Sequence, residues 1–171
     1  YACTDNTKSI IDTSNNGSYK VYTLNDVTEV QNLIADTIIG TSAQGQPFGT
    51  GHFTFFSLKN RAMVTLTDSA TNNWDVAFRG TTILTNAGTS GPGMGGAYTH
   101  VGIFADVISF NTDSTIRTDA APVYAIKTGS NKGWYVYDGP NNLITPIPGR
   151  VLMIRGADGT LYKLEINNYY K

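Results

Sequence analysis

The stretch "NNWDVAFRGTTILTNAGTSGPGMGGAY", residues 72–98, decides the fold class. Its first part, residues 74–79, alternates large apolar with polar or small side chains, and this period of two is typical of a β-strand. Residues 81–85 continue as an extended segment past Gly80, where we expect a bulge. A glycine-rich loop follows. The stretch therefore predicts a strand-rich domain with one loop of unusual backbone freedom.

The remainder of the chain repeats this pattern of short extended segments separated by turn residues. Further strands are predicted at 19–24, 52–58, 61–67, 97–104, 122–127, 133–138, 150–156 and 161–166. Residues 26–40 carry apolar side chains at helical spacing, which predicts one short helix ending at Gly40, with a loop over 41–51. Asp158-Gly159 predicts a two-residue hairpin turn. The expected fold class is all-β, mainly antiparallel, with at most one short helix.

Composition restricts the functions open to the chain. Its 171 residues are 40% hydrophobic and 15% charged, with a formal net charge of −1. No run of Lys and Arg occurs, so we expect no nucleic-acid partner. Two histidines and one cysteine argue against a structural zinc site, which usually has four such ligands. The loop segment 88–93 lacks the lysine of a phosphate-binding loop, no Gly-x-Ser-x-Gly occurs, and we expect no enzymatic activity.

Cys3 lies where a lipid anchor would be attached. Ala2 precedes it, as a small residue precedes the modified cysteine of bacterial lipoproteins, and a polar segment follows. We therefore expect residues 1–18 to form a tether and residues 19–171 to form the β-domain. The alternative is a free thiol near a frayed terminus.

Several segments together resemble the HmuY family of haem-binding surface lipoproteins. They are "FTFFSL" (53–58), "NWDVAFRGTTILTNAGTSGPGMGGAY" (73–98), "GWYVYDGP" (133–140) and "RVLMIRGADGTLYKLEI" (150–166). The resemblance implies an all-β domain whose loops grip haem. It also implies a haemophore in iron acquisition, lipid-anchored at the outer-membrane surface or secreted, that delivers haem or a related porphyrin to a TonB-dependent outer-membrane receptor. The alternative is a scaffold of this type without haem ligands, acting as an accessory subunit of an outer-membrane transporter or binding another ligand.

The iron ligands of the resembled family are not found at the matching positions. One family histidine precedes a Gly-Pro pair, where this sequence has Tyr137-Asp138. Asp138 thus replaces it, and carboxylate is not among the usual haem ligands. The second family histidine lies in an excursion that corresponds to residues 105–122, which contain neither His nor Met. Tyr137 and Asp138 remain candidate haem contacts by position.

Met94 and His100 are the remaining candidates to bind haem iron. Met94 offers a thioether among glycines that would permit close approach of a flat ligand; alternatively, it marks an exposed loop tip. His100 offers an imidazole just after the loop; alternatively, it is a strand histidine on a solvated face.

Tyrosines and arginines add further candidate contacts. Tyr124, Tyr135 and Tyr137 could bind ferric iron as phenolates or stack on a porphyrin, or they could pack as ordinary cross-strand aromatics. Arg79 and Arg155 could pair with haem propionates, or they could tie strands and loops together.

Overall fold

The computed structural model describes residues 9–10, 19–24, 26–111 and 115–170. The chain divides into two compact units, residues 1–34 and 35–171. Cys3 and most of the predicted tether lie outside the described residues; of residues 1–18, only the short strand Ser9–Ile10 is described. No helix in the described ranges is both long and apolar enough to cross a membrane.

Nearly all the regular secondary structure in the described part of the chain consists of short antiparallel strands, which confirms the predicted all-β class. The strands are β1 Ser9–Ile10, β2 Lys20–Leu24, β3 Val27–Gln31, β4 Ile38–Thr41, β5 Pro47–Gly49, β6 Thr54–Ser57, β7 Ala62–Val64, β8 Val76–Arg79, β9 Thr82–Thr85, β10 Gly96–Val101, β11 Tyr135–Asp138, β12 Leu143–Pro146, β13 Arg150–Arg155 and β14 Leu161–Leu164. Two three-residue 3₁₀ helices, Leu66–Asp68 and Phe104–Asp106, accompany them.

The predicted helix over residues 26–40 is wrong, because its first part is strand β3 of the smaller unit. β1, β2 and β3 form a three-stranded sheet in which Val21 pairs with Val30. Asp26 adopts a φ of 58° in the turn between β2 and β3. β-Branched residues at 27, 28 and 30 favour the pleated conformation over a helix, and strand pairing outweighs their helical spacing.

The end of the predicted helix, residues 38–40, belongs to strand β4 of the larger unit, and residues 32–37 form no regular element. β4 pairs with β5, so the predicted loop over 41–51 contains a strand as well. Asp36 holds the far end of this hairpin, since its carboxylate accepts hydrogen bonds from the Thr50 hydroxyl (2.7 Å), the Thr50 amide (3.0 Å) and the Gly51 amide (3.1 Å). These bonds, the one from the Thr50 side chain first, lower the pKa of Asp36 below 3.8.

The opening stretch supplies β8 and β9 of a four-stranded sheet with the order β7-β6-β8-β9. The chain reverses at Gly80 and Thr81, because Arg79 pairs with Thr82, so the predicted bulge is a tight hairpin. Gly80 takes a φ of 52°, as such a turn requires. Although residues 74–79 alternate in polarity, Asp75 and Ala77 are buried like Val76. Both faces of this sheet are covered.

One face of the four-stranded sheet carries an aromatic core. Phe55 lies opposite Ala77, which lies opposite Leu84, and Trp74 packs on the three. The Phe55 and Trp74 rings meet edge to face with centroids 4.9 Å apart. The Trp74 indole donates to the Ser69 carbonyl at 2.8 Å, so its polar atom is satisfied.

A second sheet, with the order β10-β13-β14, joins distant parts of the sequence. Gly96 pairs with Arg155 and Val101 with Arg150. The predicted hairpin at Asp158-Gly159 is present, but Arg155 pairs with Leu161, so its loop has five residues rather than two.

A two-stranded hairpin, β11–β12, completes the larger unit. Strand β12 was not predicted from the sequence. The strand predicted over 122–127 is wrong, because this segment makes only the isolated bridge between Ala120 and Val123.

Candidate functional site

The glycine-rich loop is organised around the buried side chain of Asn86. This side chain donates to the carbonyl oxygens of Thr71 (2.9 Å) and Trp74 (2.8 Å) and accepts from the Gly93 amide (3.0 Å). The Asn86 backbone oxygen accepts from the Gly95 amide at 3.0 Å. One amide side chain therefore fastens the loop to the end of the four-stranded sheet.

The loop's glycines allow it to lie directly against this asparagine. A Cβ at Gly93 would lie 2.6 Å from the Asn86 backbone oxygen and 2.9 Å from Ala157 Cβ. A Cβ at Gly91 would lie 2.8 Å from the Trp74 ring. Side chains cannot be accommodated at such distances without movement of the neighbours. The close approach that the sequence suggested for a ligand is used here by the protein's own core.

Two buried aspartates fix the segments next to the loop. Asp75 accepts from the amides of Leu58 (2.8 Å) and Ala157 (2.9 Å), which ties the two larger sheets together. Asp119 accepts from the amides of Thr85 (2.9 Å) and Ala125 (2.8 Å). Buried carboxylates need such partners, and these bonds make both aspartates structural anchors.

A groove of about 670 Å³ opens between the glycine-rich loop and the aromatic face of the sheet. Its apolar wall consists of Phe53, Phe55, Leu84, Pro92 and Tyr124, and its loop wall runs from 88 to 91. The groove is wide and largely open to solvent, so a ligand lying in it would be covered over part of its surface only. A groove with aromatic walls suits a flat apolar ligand.

The groove has one tyrosine hydroxyl that no described group binds. Tyr124 is half-buried and packs on the aromatic core, and among the described residues its hydroxyl has no hydrogen-bond partner. The segment before Tyr124 is held by Thr89. The Thr89 hydroxyl accepts from the Ala121 amide at 2.9 Å, and the Thr89 amide donates to the Asp119 carbonyl at 2.9 Å. Tyr124 is therefore a preorganised polar contact inside an apolar groove.

A positive charge lies at the edge of the groove. The Arg79 guanidinium carbon is 4.3 Å from the centroid of the Phe53 ring, and Arg79 donates to the Gly51 carbonyl at 3.1 Å. None of the side chains that line the groove is charged. Arg79 thus ties a loop, as expected, and its exposed guanidinium also supplies a cation beside the apolar wall.

Met94 lies on the exposed side of the glycine-rich loop and does not line the groove. Its amide donates to the Ala157 carbonyl at 3.0 Å, and its carbonyl accepts from Arg155 Nε at 2.6 Å. Its side chain is 61% exposed and reaches toward Gly159 in the β13–β14 hairpin. Arg155 therefore ties this loop, and Met94 stays a separate prediction as an iron ligand.

His100 lies on the exposed surface of β10, toward the other end of that strand. It pairs with Val151, whereas Gly96, two residues after Met94, pairs with Arg155. Four residues of strand separate Gly96 from His100, about 13 Å. The structure does not bring Met94 and His100 together as a ligand pair. His100 instead lines a second groove of about 480 Å³ with Tyr98.

Tyr137 and Asp138 are placed together in the β11–β12 hairpin. The Tyr137 hydroxyl donates to Asn142 Oδ1 at 2.8 Å, and the Asp138 carboxylate accepts from Asn141 Nδ2 at 2.7 Å. Both bonds are local to the hairpin. Neither residue lines the large groove, so their role as haem contacts stays a prediction based on position.

The groove was not predicted from the sequence, since its lining comes from five separate parts of the chain, near residues 53, 69, 84, 90 and 124. Asn86 and Asp119 were missed as well. The signal for Asn86 was an amide directly after a strand and before the glycines, and the signal for Asp119 was an acid in an otherwise uncharged turn. Within the described ranges, no group of three or more His, Cys, Asp or Glu side chains is placed to hold a metal ion.

Comparison of the chain with protein-family models and with curated proteins gives no match.

Proposed function

We propose that this protein is a porphyrin-binding surface lipoprotein of the HmuY type, which captures haem or a related porphyrin and passes it to a TonB-dependent outer-membrane receptor. The observation that carries the binding step is the groove of about 670 Å³ between the glycine-rich loop and the aromatic sheet face. Delivery, the lipid anchor at Cys3 and the surface location are proposed from the resemblance in sequence.

Capture follows from burial of a flat apolar ring against the groove wall. Phe53, Phe55 and Leu84 would contact one face of the macrocycle, and the loop around Pro92 would contact the other. Burial of apolar area contributes about 25 cal/mol per Å², so a partly covered porphyrin gains several kcal/mol without bond-making chemistry. Arg79 at the groove edge would attract the carboxylates of the porphyrin's propionates.

Absorbance titration with haemin, combined with a variant that fills the groove, tests the proposal. Ala70 lines the groove and is exposed, so Ala70→Trp is expected to block the groove without disturbing the core. Ala105 is equally an exposed alanine but lies away from the groove, and Ala105→Trp serves as the matched control. We expect haemin to sharpen the Soret band of the wild type and of Ala105→Trp, and to bind Ala70→Trp at least roughly tenfold more weakly.

A flat titration of the folded wild type would refute haem binding. Met94→Ala and His100→Ala belong in the same series, because each was predicted from the sequence as an iron ligand. If either variant shows weaker bands of axial ligation, the replaced residue is supported as an iron ligand. The haem would then bind outside the groove.

A second candidate function is an accessory subunit of an outer-membrane transporter. The observation favouring it is a series of exposed apolar side chains from the end of β10 onward, with Val101 and Ile103 each 68% exposed and Ile108 94% exposed. Apolar side chains exposed in one region often mark contact with a partner protein. Recovery of a membrane receptor from native membranes by the tagged protein, with no haem signal in the complex, would favour this function over porphyrin capture.

A further inference from the structure

We propose that the Tyr124 hydroxyl forms the bond to the ligand's iron, which makes this groove a site for ferric porphyrins with a phenolate ligand. This inference rests on the proposed function and adds the chemistry of metal recognition to it. Among the groove residues that carry a side-chain oxygen, Tyr124 is the aromatic one. Its ring packs on the core, and its hydroxyl has no hydrogen-bond partner among the described residues.

The other groove oxygens are less suited to iron. Ser69, Thr89 and Ser90 present aliphatic hydroxyls, and Thr89 already accepts the Ala121 amide. A phenol is far more acidic than an aliphatic alcohol, and tyrosinate is an established ligand of haem iron. On binding, the phenol would release its proton to solvent and its oxygen lone pair would bond to Fe(III), with no change in the oxidation state of the iron.

The surroundings of Tyr124 hold the ring in place. Asp119 accepts the Ala125 amide beside it, and the Ala120–Val123 bridge closes the turn before it. The ring also packs on the cluster of Phe55, Trp74 and Leu84. A ligand held by buried anchors loses little conformational entropy on binding, so the hydroxyl can act without reorganisation of the groove.

Four other tyrosines of the larger unit form hydrogen bonds through their hydroxyls. Tyr98 accepts the Asn111 amide at 2.8 Å, Tyr135 bonds with Thr81 at 3.2 Å, Tyr137 donates to Asn142 at 2.8 Å, and Tyr170 accepts the Ile144 amide at 2.9 Å. Tyr170 is the matched control, because it is exposed, lies outside the groove and is not a candidate haem contact.

The experiment titrates the full chain with haemin and with metal-free protoporphyrin IX, using the wild type, Tyr124→Phe and Tyr170→Phe. Phenylalanine keeps the ring and removes only the oxygen. We expect Tyr124→Phe to bind haemin at least roughly tenfold more weakly and to lose the phenolate-to-iron signals in the visible and resonance Raman spectra. Its affinity for the metal-free porphyrin should remain that of the wild type, and Tyr170→Phe should match the wild type throughout.

Three other results would overturn the inference. Tyr124→Phe with the wild-type haemin spectrum and affinity would exclude the iron bond while leaving the proposed function intact. Equal weakening toward both porphyrins would show that Tyr124 acts by packing alone. A wild type that binds neither porphyrin would refute the proposed function and the inference with it.

Discussion

Replacing Asn86 with alanine tests the most specific structural claim, that one buried amide fastens the glycine-rich loop to the sheet. The change leaves the carbonyl oxygens of Thr71 and Trp74 and the amide of Gly93 without their partner. The bond to Trp74 is fully buried, and its loss costs about 2 kcal/mol; the two partly buried bonds cost about 0.5–1 kcal/mol each. We therefore expect Asn86→Ala to lower the free energy of unfolding by about 3 kcal/mol.

Urea unfolding followed by tryptophan fluorescence measures this loss, because Trp74 lies beside Asn86. With a slope of about 2 kcal/mol per molar urea, the midpoint should fall by roughly 1.5 M. Asn73→Ala is the matched control: this asparagine is exposed, and its removal should change stability by less than about 0.5 kcal/mol. A loss below about 1 kcal/mol for Asn86→Ala would refute the role of this amide, since three abandoned backbone groups cannot cost so little in a dry site.

Three further predictions follow from the geometry. Gly93→Ala should lower the free energy of unfolding, measured by thermal denaturation, by about 1–3 kcal/mol, because the new Cβ would lie 2.6 Å from a backbone oxygen. Gly139→Ala, whose Cβ would have its nearest neighbour at 3.8 Å, should leave the free energy of unfolding unchanged. Arg79→Gln should weaken haemin binding but not binding of the dimethyl ester of haemin, which lacks the propionate charges; equal weakening of both in titrations would refute a charge effect. Hydrogen bonds from Thr160, and then the contact with Lys59, hold the pKa of Asp158 below 3.8, so the carboxylate stabilises the fold above that pH. The stability advantage of the wild type over Asp158→Asn in urea should shrink as pH falls from about 5 to 2, and an advantage independent of pH would contradict this.

Sequence periodicity predicted the fold class and most strands, because alternation directly reflects burial on a sheet. The prediction failed where one segment fits both the helical pattern and the strand pattern. Residues 27–34 have helical spacing and also consist largely of β-branched residues, and only pairing with β2 decides between the two. The prediction of a bulge at Gly80 failed for a similar reason. A glycine with positive φ fits a bulge as well as a turn, and only the pairing of β8 with β9 decides between them.

The candidate site was harder to predict than the fold. Met94 and His100 were singled out by residue type and by their place in or just after the glycine-rich loop, and the structure places them at separate positions along one strand and its preceding loop. The groove wall combines residues near 53, 84, 91 and 124, which no local pattern links. The glycines were identified correctly as positions of close approach, but the partner they approach, Asn86, is an internal side chain that spacing cannot reveal.

The pairing of β10 with β13 has a consequence for how the chain folds. Strands β6 to β9 pair with one another within residues 54–85, whereas β10 must wait for a partner that lies beyond residues 102–149. Closing so long a loop costs chain entropy before any contact offsets it, so we expect the four-stranded sheet to form first and this closure to limit the rate. The Asp75 carboxylate accepts from the Ala157 amide, so its hydrogen bonds would be complete only after this last step. In pulsed hydrogen exchange, the Ala157 amide should therefore be among the later amides to become protected.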